Sequence, residues 1–174
     1  MDALFRRGNP SNGWTRQQEL TLTVDLLIPS INQVGVGSAA DKFSFLGRST
    51  DKSKTPLIFE DLGLTIDYED DGTISGFHVV WADPYRPFSA FAGVIQLNNS
   101  SISRAALLNE LGEPYWLDQD EDEILCFYEF PTHEITVEQA LDETIRSIVV
   151  TTYPLMADAE QRTRYGVDKP WPPY

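Results

Sequence analysis

The chain has 174 residues, with 27 acidic and 13 basic side chains, a formal net charge of −14 at pH 7 and one cysteine. This length suits a single domain, and so negative a charge repels phosphates, which excludes nucleic acid as an expected partner. A lone cysteine, Cys126, excludes an internal disulfide and a cysteine-based zinc site, and it favours a reducing, cytoplasmic compartment. No stretch has the ~20 apolar residues of a membrane helix, so we expect no membrane partner.

The first segment, residues 1–18, is rich in Gly, Asn, Ser and Arg and is predicted to be an N-terminal arm. Its arginines are not followed by the apolar region of a signal peptide, so we expect none. In "ELTLTVDLLI" (19–28), which follows, every second residue is apolar, as is typical of a half-buried strand.

A short helix is predicted for "SAADKFSFLG" (38–47). The segment begins with Ser38, has Asp41 three residues later as the acidic form of a capping box, and ends at Gly47. Its apolar residues recur at three-residue steps. The similar segment "SRAALLNELG" (103–112) also begins with serine and ends with glycine, so a second short helix is predicted there.

Further matches in the same order predict an internal duplication. Both "TISGFHVVWADP" (73–84) and "TIRSIVVTTYP" (144–154) run from Thr-Ile through Val-Val to a proline. We therefore predict one domain that consists of two repeated units and is followed by a short helix and a Pro- and Trp-rich tail. The predicted boundaries are 19–157 for the domain, 19–86 and 87–157 for its units, and 158–174 for the C-terminal helix and tail.

Each unit is predicted to pack a short helix on antiparallel strands. In "LGLTIDYEDDGTISGFHVVW" (62–81), Asp71-Gly72 indicates the tight turn of a hairpin. In the second unit, "EILCFYEF" (123–130) is the predicted outgoing strand and "TIRSIVVTTY" (144–153) the returning one. "PTHEITVEQALDE" (131–143) is predicted to connect them with a turn of helix capped by Thr136. The predicted fold class is α+β, with the two units forming one continuous sheet.

The acidic run at residues 118–123 has three interpretations. A calcium loop that starts at Asp118 would place oxygen ligands at Asp120 and Asp122, but Glu123 stands where the sharp turn needs glycine. A docking patch for a basic partner is the second interpretation, and a solvated turn before a strand is the third. The sequence leaves them open, and we predict no bound metal or cofactor.

No catalytic motif accompanies these features, and we predict no catalytic residue. "GVGSA" (35–39) matches part of a dinucleotide fingerprint, but the predicted hairpins supply no βαβ unit. The two histidines, His78 and His133, lack metal-ligand spacing, and Cys126 lies in a predicted apolar strand. The alternative to a binding module is a small-molecule-binding or hydrolytic domain with a pocket between the two units that uses one of the histidines.

The two helical segments, at 38–47 and 103–114, together with the Asp71-Gly72 turn and "FYEF" (127–130), resemble the BamE type of small α/β unit. Their tandem arrangement resembles the β-lactamase-inhibitory-protein architecture, although the paired cysteines of that type are missing. The resemblance covers residues 20–154. It implies a non-catalytic module that binds protein through an open sheet face.

The sequence as a whole favours a protein that binds another, basic protein, as an inhibitor or an immunity-type protein does. Carboxylates would steer the partner and pair with its Lys or Arg side chains, and aromatic side chains would anchor it. Tyr128 belongs to this set if it faces outward, because neighbouring strand residues face opposite sides. The predicted binding residues are Trp116, Asp118, Asp120, Glu121, Asp122 and Tyr128.

Overall fold

The computed structural model describes residues 8–52, 55–171 and 173. Within those residues the strands are β1 (Thr23–Asp25), β2 (Ser30–Ile31), β3 (Val34–Gly35), β4 (Leu57–Phe59), β5 (Leu64–Tyr68), β6 (Ile74–Val80), β7 (Val94–Leu97), β8 (Ser100–Ile102), β9 (Trp116–Gln119), β10 (Glu123–Glu129), β11 (Glu134–Ala140) and β12 (Ile145–Thr151). The α-helices are α1 (Leu107–Leu111) and α2 (Ala159–Arg164), and 3-10 helices span Pro10–Gly13, Ala40–Leu46, Glu60–Leu62, Arg104–Ala106 and Leu155–Ala157. The fold is α+β, as predicted.

These strands form two sheets, whereas the sequence predicted one. The larger sheet has seven strands in the order β4-β5-β6-β12-β11-β10-β9, and the smaller has five in the order β3-β2-β1-β7-β8. The strand predicted for residues 19–28 is only β1, because the chain turns directly after it. The amides of Leu27 and Ile28 donate to the Asp25 carboxylate at 3.0 and 2.9 Å, which ends the strand and begins the turn to β2, its neighbour in the smaller sheet.

The main hydrophobic core joins the two sheets. Val24 and Ile95 of the five-stranded sheet are buried in the same cluster as Phe77, Val137 and Ile148 of the seven-stranded sheet. Alternation along β6, β11 and β12 directs one set of side chains to this core. Side chains on the opposite face of the larger sheet point away from this core. Beside β10, another segment of the chain buries them.

The first predicted helix is a 3-10 helix, Ala40–Leu46. Ala40, Phe43 and Leu46 are its buried residues, and their three-residue spacing matches the 3-10 period. The predicted capping box does not form, because Ala39 precedes the helix and no side chain caps it. Gly47 follows at φ 84°, a backbone conformation that favours glycine.

The second predicted helix begins at its predicted cap. The Ser103 hydroxyl oxygen accepts a hydrogen bond from the amide of Ala106 at 3.3 Å, across a 3-10 turn that continues as α1. Gly112 follows α1 at φ 79°. Local capping chemistry therefore sets both ends of this segment.

The connection predicted to contain a turn of helix, residues 131–143, is instead the strand β11. Ile135 and Val137 are fully buried, and β-branched residues at alternate positions favour a strand between two others. Thr136, the predicted helix cap, lies within β11 and donates its hydroxyl to Glu134 Oε1 at 3.1 Å. The return partner of β10 is thus β11, and β12 pairs with β11 and β6.

The described part of the N-terminal arm packs against the domain. The buried Ser11 hydroxyl oxygen accepts the amide of Ser49 at 2.9 Å, and the Gln17 amide donates to the Phe45 carbonyl at 3.0 Å. Residues 1–7 lie outside the described residues.

Candidate functional site

All six predicted binding residues lie on the β9–β10 hairpin, whose strand β9 is one edge of the seven-stranded sheet. In its register Trp116 lies opposite Phe127, and Asp118 lies opposite Leu125. The acidic run at residues 118–123 is therefore the end of β9, a tight turn and the start of β10. This geometry places the acids at a sheet edge, where both the docking patch and the solvated turn stay predictions.

Asp120 holds the turn of this hairpin. Its Oδ1 accepts the amides of Asp122 and Glu123 at 2.8 and 3.1 Å, and its own amide donates to the Glu123 carbonyl at 3.1 Å. The two amides lower the pKa of Asp120, because hydrogen bonds to the charged form favour that form. Asp120 therefore stays ionised while it fixes the turn.

The other acids of the hairpin project to different depths. Glu121 and Asp122 are exposed, whereas Asp118 and Glu123 are half-buried. Burial raises the pKa of Glu123, and negative charges nearby add to the effect.

None of the hairpin acids forms an ion pair within the part of the chain that the structure describes. The ion pairs found there are Arg16 with Asp61 and Arg146 with Glu138. The negative charge of the hairpin is thus left for water or for a partner.

Trp116 lies on the face of β9 that the C-terminal segment approaches. Its side chain is half-buried, and the Lys169 ammonium group lies 6.0 Å from the ring centroid. Its Nε1 is buried and has no hydrogen-bond partner among the described residues. Trp116 therefore contributes a partly covered ring to the base of the hairpin.

Tyr128 does not face outward, so it is not part of this surface. Its side chain is 4% exposed in the main core, and burial raises its pKa to about 12. Phe127, on the other face of β10, is also buried, and its ring lies 5.6 Å from that of Tyr165. Both faces of β10 are covered here, one by the core and the other by the C-terminal segment.

The C-terminal segment, residues 155–171, forms a second hydrophobic cluster against this part of the sheet. Met156 and Val167 are buried together with Tyr115 and Phe127. Lys169 adds a hydrogen bond to this packing, since its ammonium group donates to the Tyr115 carbonyl at 3.0 Å. The predicted C-terminal helix lies in this segment as α2, and Pro172 and Tyr174 lie outside the described residues.

A carboxyl pair beneath this segment was not predicted. Glu129 and Glu134 lie directly opposite each other on β10 and β11, and Glu134 is 2% exposed. Glu134 Oε2 accepts the amide of Met156 at 3.3 Å, and Glu129 Oε2 accepts the indole N–H of Trp171 at 2.8 Å. The pair therefore fastens the C-terminal segment to the sheet.

The pKa of Glu134 is raised to about 8. Burial is the main cause, followed by the neighbouring Glu129 carboxyl, which shares a hydrogen bond with it and carries a like charge. Glu134 consequently keeps its proton at neutral pH.

His133 has a structural role. It is 2% exposed, its Nε2 lies 2.9 Å from the Leu26 carbonyl oxygen, and its ring stacks on Phe130 at 4.9 Å between centroids. Since a carbonyl only accepts, Nε2 is the donor. Burial lowers the pKa of His133, so the ring is neutral at pH 7 and links the two sheets.

His78 lies on the face of β6 opposite the main core. Burial lowers its pKa, and its Nε2 has no hydrogen-bond partner among the described residues. Neither histidine lines the cavity of about 390 Å³ beside Tyr68 and Asp71 or the cavity of about 450 Å³ beside Asn32 and Gln96. The hypothesis of a histidine-containing pocket between the units stays a prediction.

No group of three His, Cys, Asp or Glu side chains within the described residues could hold a metal ion. In that same part of the chain, every helix is too short or too polar to cross a lipid bilayer.

No family model and no curated protein matches the sequence. Among solved structures, the chain is similar to a DUF4309 family protein, YjgB, from Bacillus subtilis subsp. subtilis str. 168. The two share 16% identity with a TM-score of 0.44, over 69% of this chain and 79% of that one.

Proposed function

We propose that this protein is a non-catalytic protein-binding module, of the inhibitor or immunity type, that docks a basic partner through the β9–β10 hairpin. The observation that carries the proposal is the unpaired charge of this hairpin. Asp118, Glu121 and Asp122 lie at a sheet edge, and no ion pair neutralises them within the described residues. The buried, free Cys126 is consistent with a reducing compartment, and we propose a cytoplasmic location.

Charge and apolar contact would act together at this edge. Clustered carboxylates accelerate the encounter with a basic surface and orient it. Leu117, whose side chain is 49% exposed, supplies apolar area on the face of β9 opposite to Trp116 and Asp118. A partner with Lys or Arg around an apolar side chain fits this combination.

We also infer that the fold consists of two duplicated units, which set the two ends of the large sheet. The turns at Asn32-Gln33 and Asn98-Asn99 both have positive φ at their two residues, and each is followed by a helix that ends at a positive-φ glycine. The last strands of the units, β6 and β12, pair antiparallel in the middle of the sheet. These equivalences support the duplication, which leaves β9 at one end of the sheet.

The proposed function predicts that neutralising the hairpin abolishes binding without unfolding the protein. The variant carries Asp118→Asn, Asp120→Asn, Glu121→Gln and Asp122→Asn, and it is immobilised and exposed to lysate of the source organism. At low salt, we expect this variant to retain at least about tenfold less of the basic protein than the wild type retains, because steering and charge pairing are lost. Moderate salt should weaken the wild-type complex in the same direction.

A matched control removes four charges from the β5–β6 hairpin, with Asp67→Asn, Glu69→Gln, Asp70→Asn and Asp71→Asn. Asp71 holds that turn as Asp120 holds the other, because its Oδ1 accepts the Thr73 amide at 2.9 Å. This control should retain the partner. Equal retention by the wild type and both variants would place the contact elsewhere and overturn the proposed function.

A further inference from the structure

The two edges of the seven-stranded sheet differ. At the β4 edge, the Ile58 amide donates to the Ser49 hydroxyl oxygen at 3.0 Å, and the Ile58 carbonyl accepts the Thr50 amide at 2.7 Å. Residues 49–50 thereby occupy the outward hydrogen-bonding groups of β4. Covering an edge in this way protects a sheet against the addition of further strands.

The β9 edge is not covered in the same way. The amide of Asp120 donates to Glu123, so the alternation of an antiparallel ladder directs the backbone groups of Trp116 and Asp118 toward β10. The same alternation directs the amides and carbonyls of Leu117 and Gln119 away from the sheet. These outward groups have no hydrogen-bond partner among the described residues, and both side chains are exposed.

Charge selects the kind of strand that could occupy this edge. The hairpin acids lie at its end, and the whole chain carries a net charge of −14, so a second copy would be repelled. A basic segment would be attracted. An extended strand presents side chains alternately to the two faces, so one set can meet Leu117 while the other meets Asp118.

We propose that β9 is a docking edge, to which an extended, basic segment of a partner protein adds as an eighth strand of the sheet. Its backbone pairs with Leu117 and Gln119, an apolar side chain lies beside Leu117, and Lys or Arg side chains lie beside Asp118 and the turn. Main-chain hydrogen bonds supply affinity and the alternate side chains supply specificity, as in other cases of strand addition. The inference rests on the proposed function, because both require a basic partner at this hairpin.

The test uses a short synthetic peptide of alternating lysine and valine and a twin with every backbone amide N-methylated. The twin has the same charge but cannot donate backbone hydrogen bonds, and its N-methyl groups keep its carbonyls from the close approach to the Leu117 and Gln119 amides that paired strands need. With the first peptide in excess, we expect hydrogen exchange at the amides of Leu117 and Gln119 to slow at least about tenfold. The methylated twin should leave both rates unchanged.

A protein variant separates backbone pairing from charge. Leu117→Pro keeps every acid and removes one outward amide, a change that an edge strand tolerates. We expect it to bind the lysine–valine peptide at least about tenfold more weakly than the wild type. Circular dichroism shows whether the variant is folded. If it is not, the comparison of the two peptides on the wild-type protein still tests strand addition.

The other outcomes also decide the inference. Equal binding of both peptides, lost on the charge-neutralised hairpin variant, would overturn strand addition and leave the proposed function standing. Protection of the two amides in the protein alone, rising with concentration, would assign the edge to a second copy and overturn the proposal. Failure of the unmodified peptide to bind would overturn strand addition, whereas the lysate experiment decides the proposed function independently.

Discussion

Replacing Asp25 with alanine is expected to lower the free energy of unfolding by about 3 kcal/mol. Asp25 is 3% exposed, and its carboxylate accepts backbone amides from two separate turns. The bonds come from Leu27 at 3.0 Å, Ile28 at 2.9 Å, Asn98 at 3.1 Å and Asn99 at 2.5 Å. Alanine would leave these amides without their acceptor, and water at the turns would replace only part of the loss.

Asparagine at this position separates shape from hydrogen bonding. Asp25→Asn keeps one oxygen for Leu27, Ile28 and Asn98 but sets an N–H group against the amide of Asn99, so we expect a loss of about 1.5 kcal/mol. Asp70→Ala is the matched control, because Asp70 is exposed and its removal should change stability by less than about 0.5 kcal/mol.

Urea denaturation measures all three variants, with the midpoint as readout and an unchanged m-value as the condition for comparing them. A loss below about 1 kcal/mol for Asp25→Ala would contradict the view that this carboxylate joins the two turns.

Replacing Glu134 with glutamine is expected to stabilise the protein by about 2 kcal/mol at about pH 9 and to have little effect at about pH 5. The pKa of Glu134 is about 8 in the fold and 4.5 in the absence of the fold. Its contribution to stability is fully present below the lower value. It is lost as the pH rises toward the upper value, because the unfolded chain then releases the proton more readily than the folded one.

Glutamine does not ionise, so the substitution removes both this titration and the like charge beside Glu129. Its amide oxygen can still accept from Met156 or Thr136, and its N–H group can donate to Glu129. The expected gain is less than the roughly 5 kcal/mol that the whole shift in pKa represents, because an amide does not reproduce the hydrogen bond between two carboxyl groups.

The matched control is Glu121→Gln, the same chemical change at an exposed position of the β9–β10 turn. It should shift stability by less than about 0.5 kcal/mol at either pH. Thermal or urea denaturation of the wild type and both variants at the two pH values gives the comparison. A wild-type pH dependence that persists in Glu134→Gln would show that the pair does not hold the shared proton.

The candidate site was only partly predictable. The acidic run and Trp116 were identified from composition alone, but the strand β9 was not. It has only four residues, and beside the acidic run they show little alternation of apolar and polar side chains. The carboxyl pair left no signal either. Glu129 and Glu134 are separated by a proline-containing turn, and only the pairing of β10 with β11, under Trp171, buries them together. Asp25 had a weak signal, a single acid within an apolar run.

The sequence by itself determined the features that depend on neighbouring residues. The three-residue spacing of Ala40, Phe43 and Leu46 marked a helix, the Asp71-Gly72 turn marked a hairpin, and Ser103 marked a helix start, because capping and turn chemistry act within a few residues. Tertiary structure decided the rest. Burial of Tyr128 and Phe127 on opposite faces of one strand, and the exposure of the β9 edge, depend on which distant segments pack where. Such contacts join residues far apart in the chain, and local periodicity does not encode them.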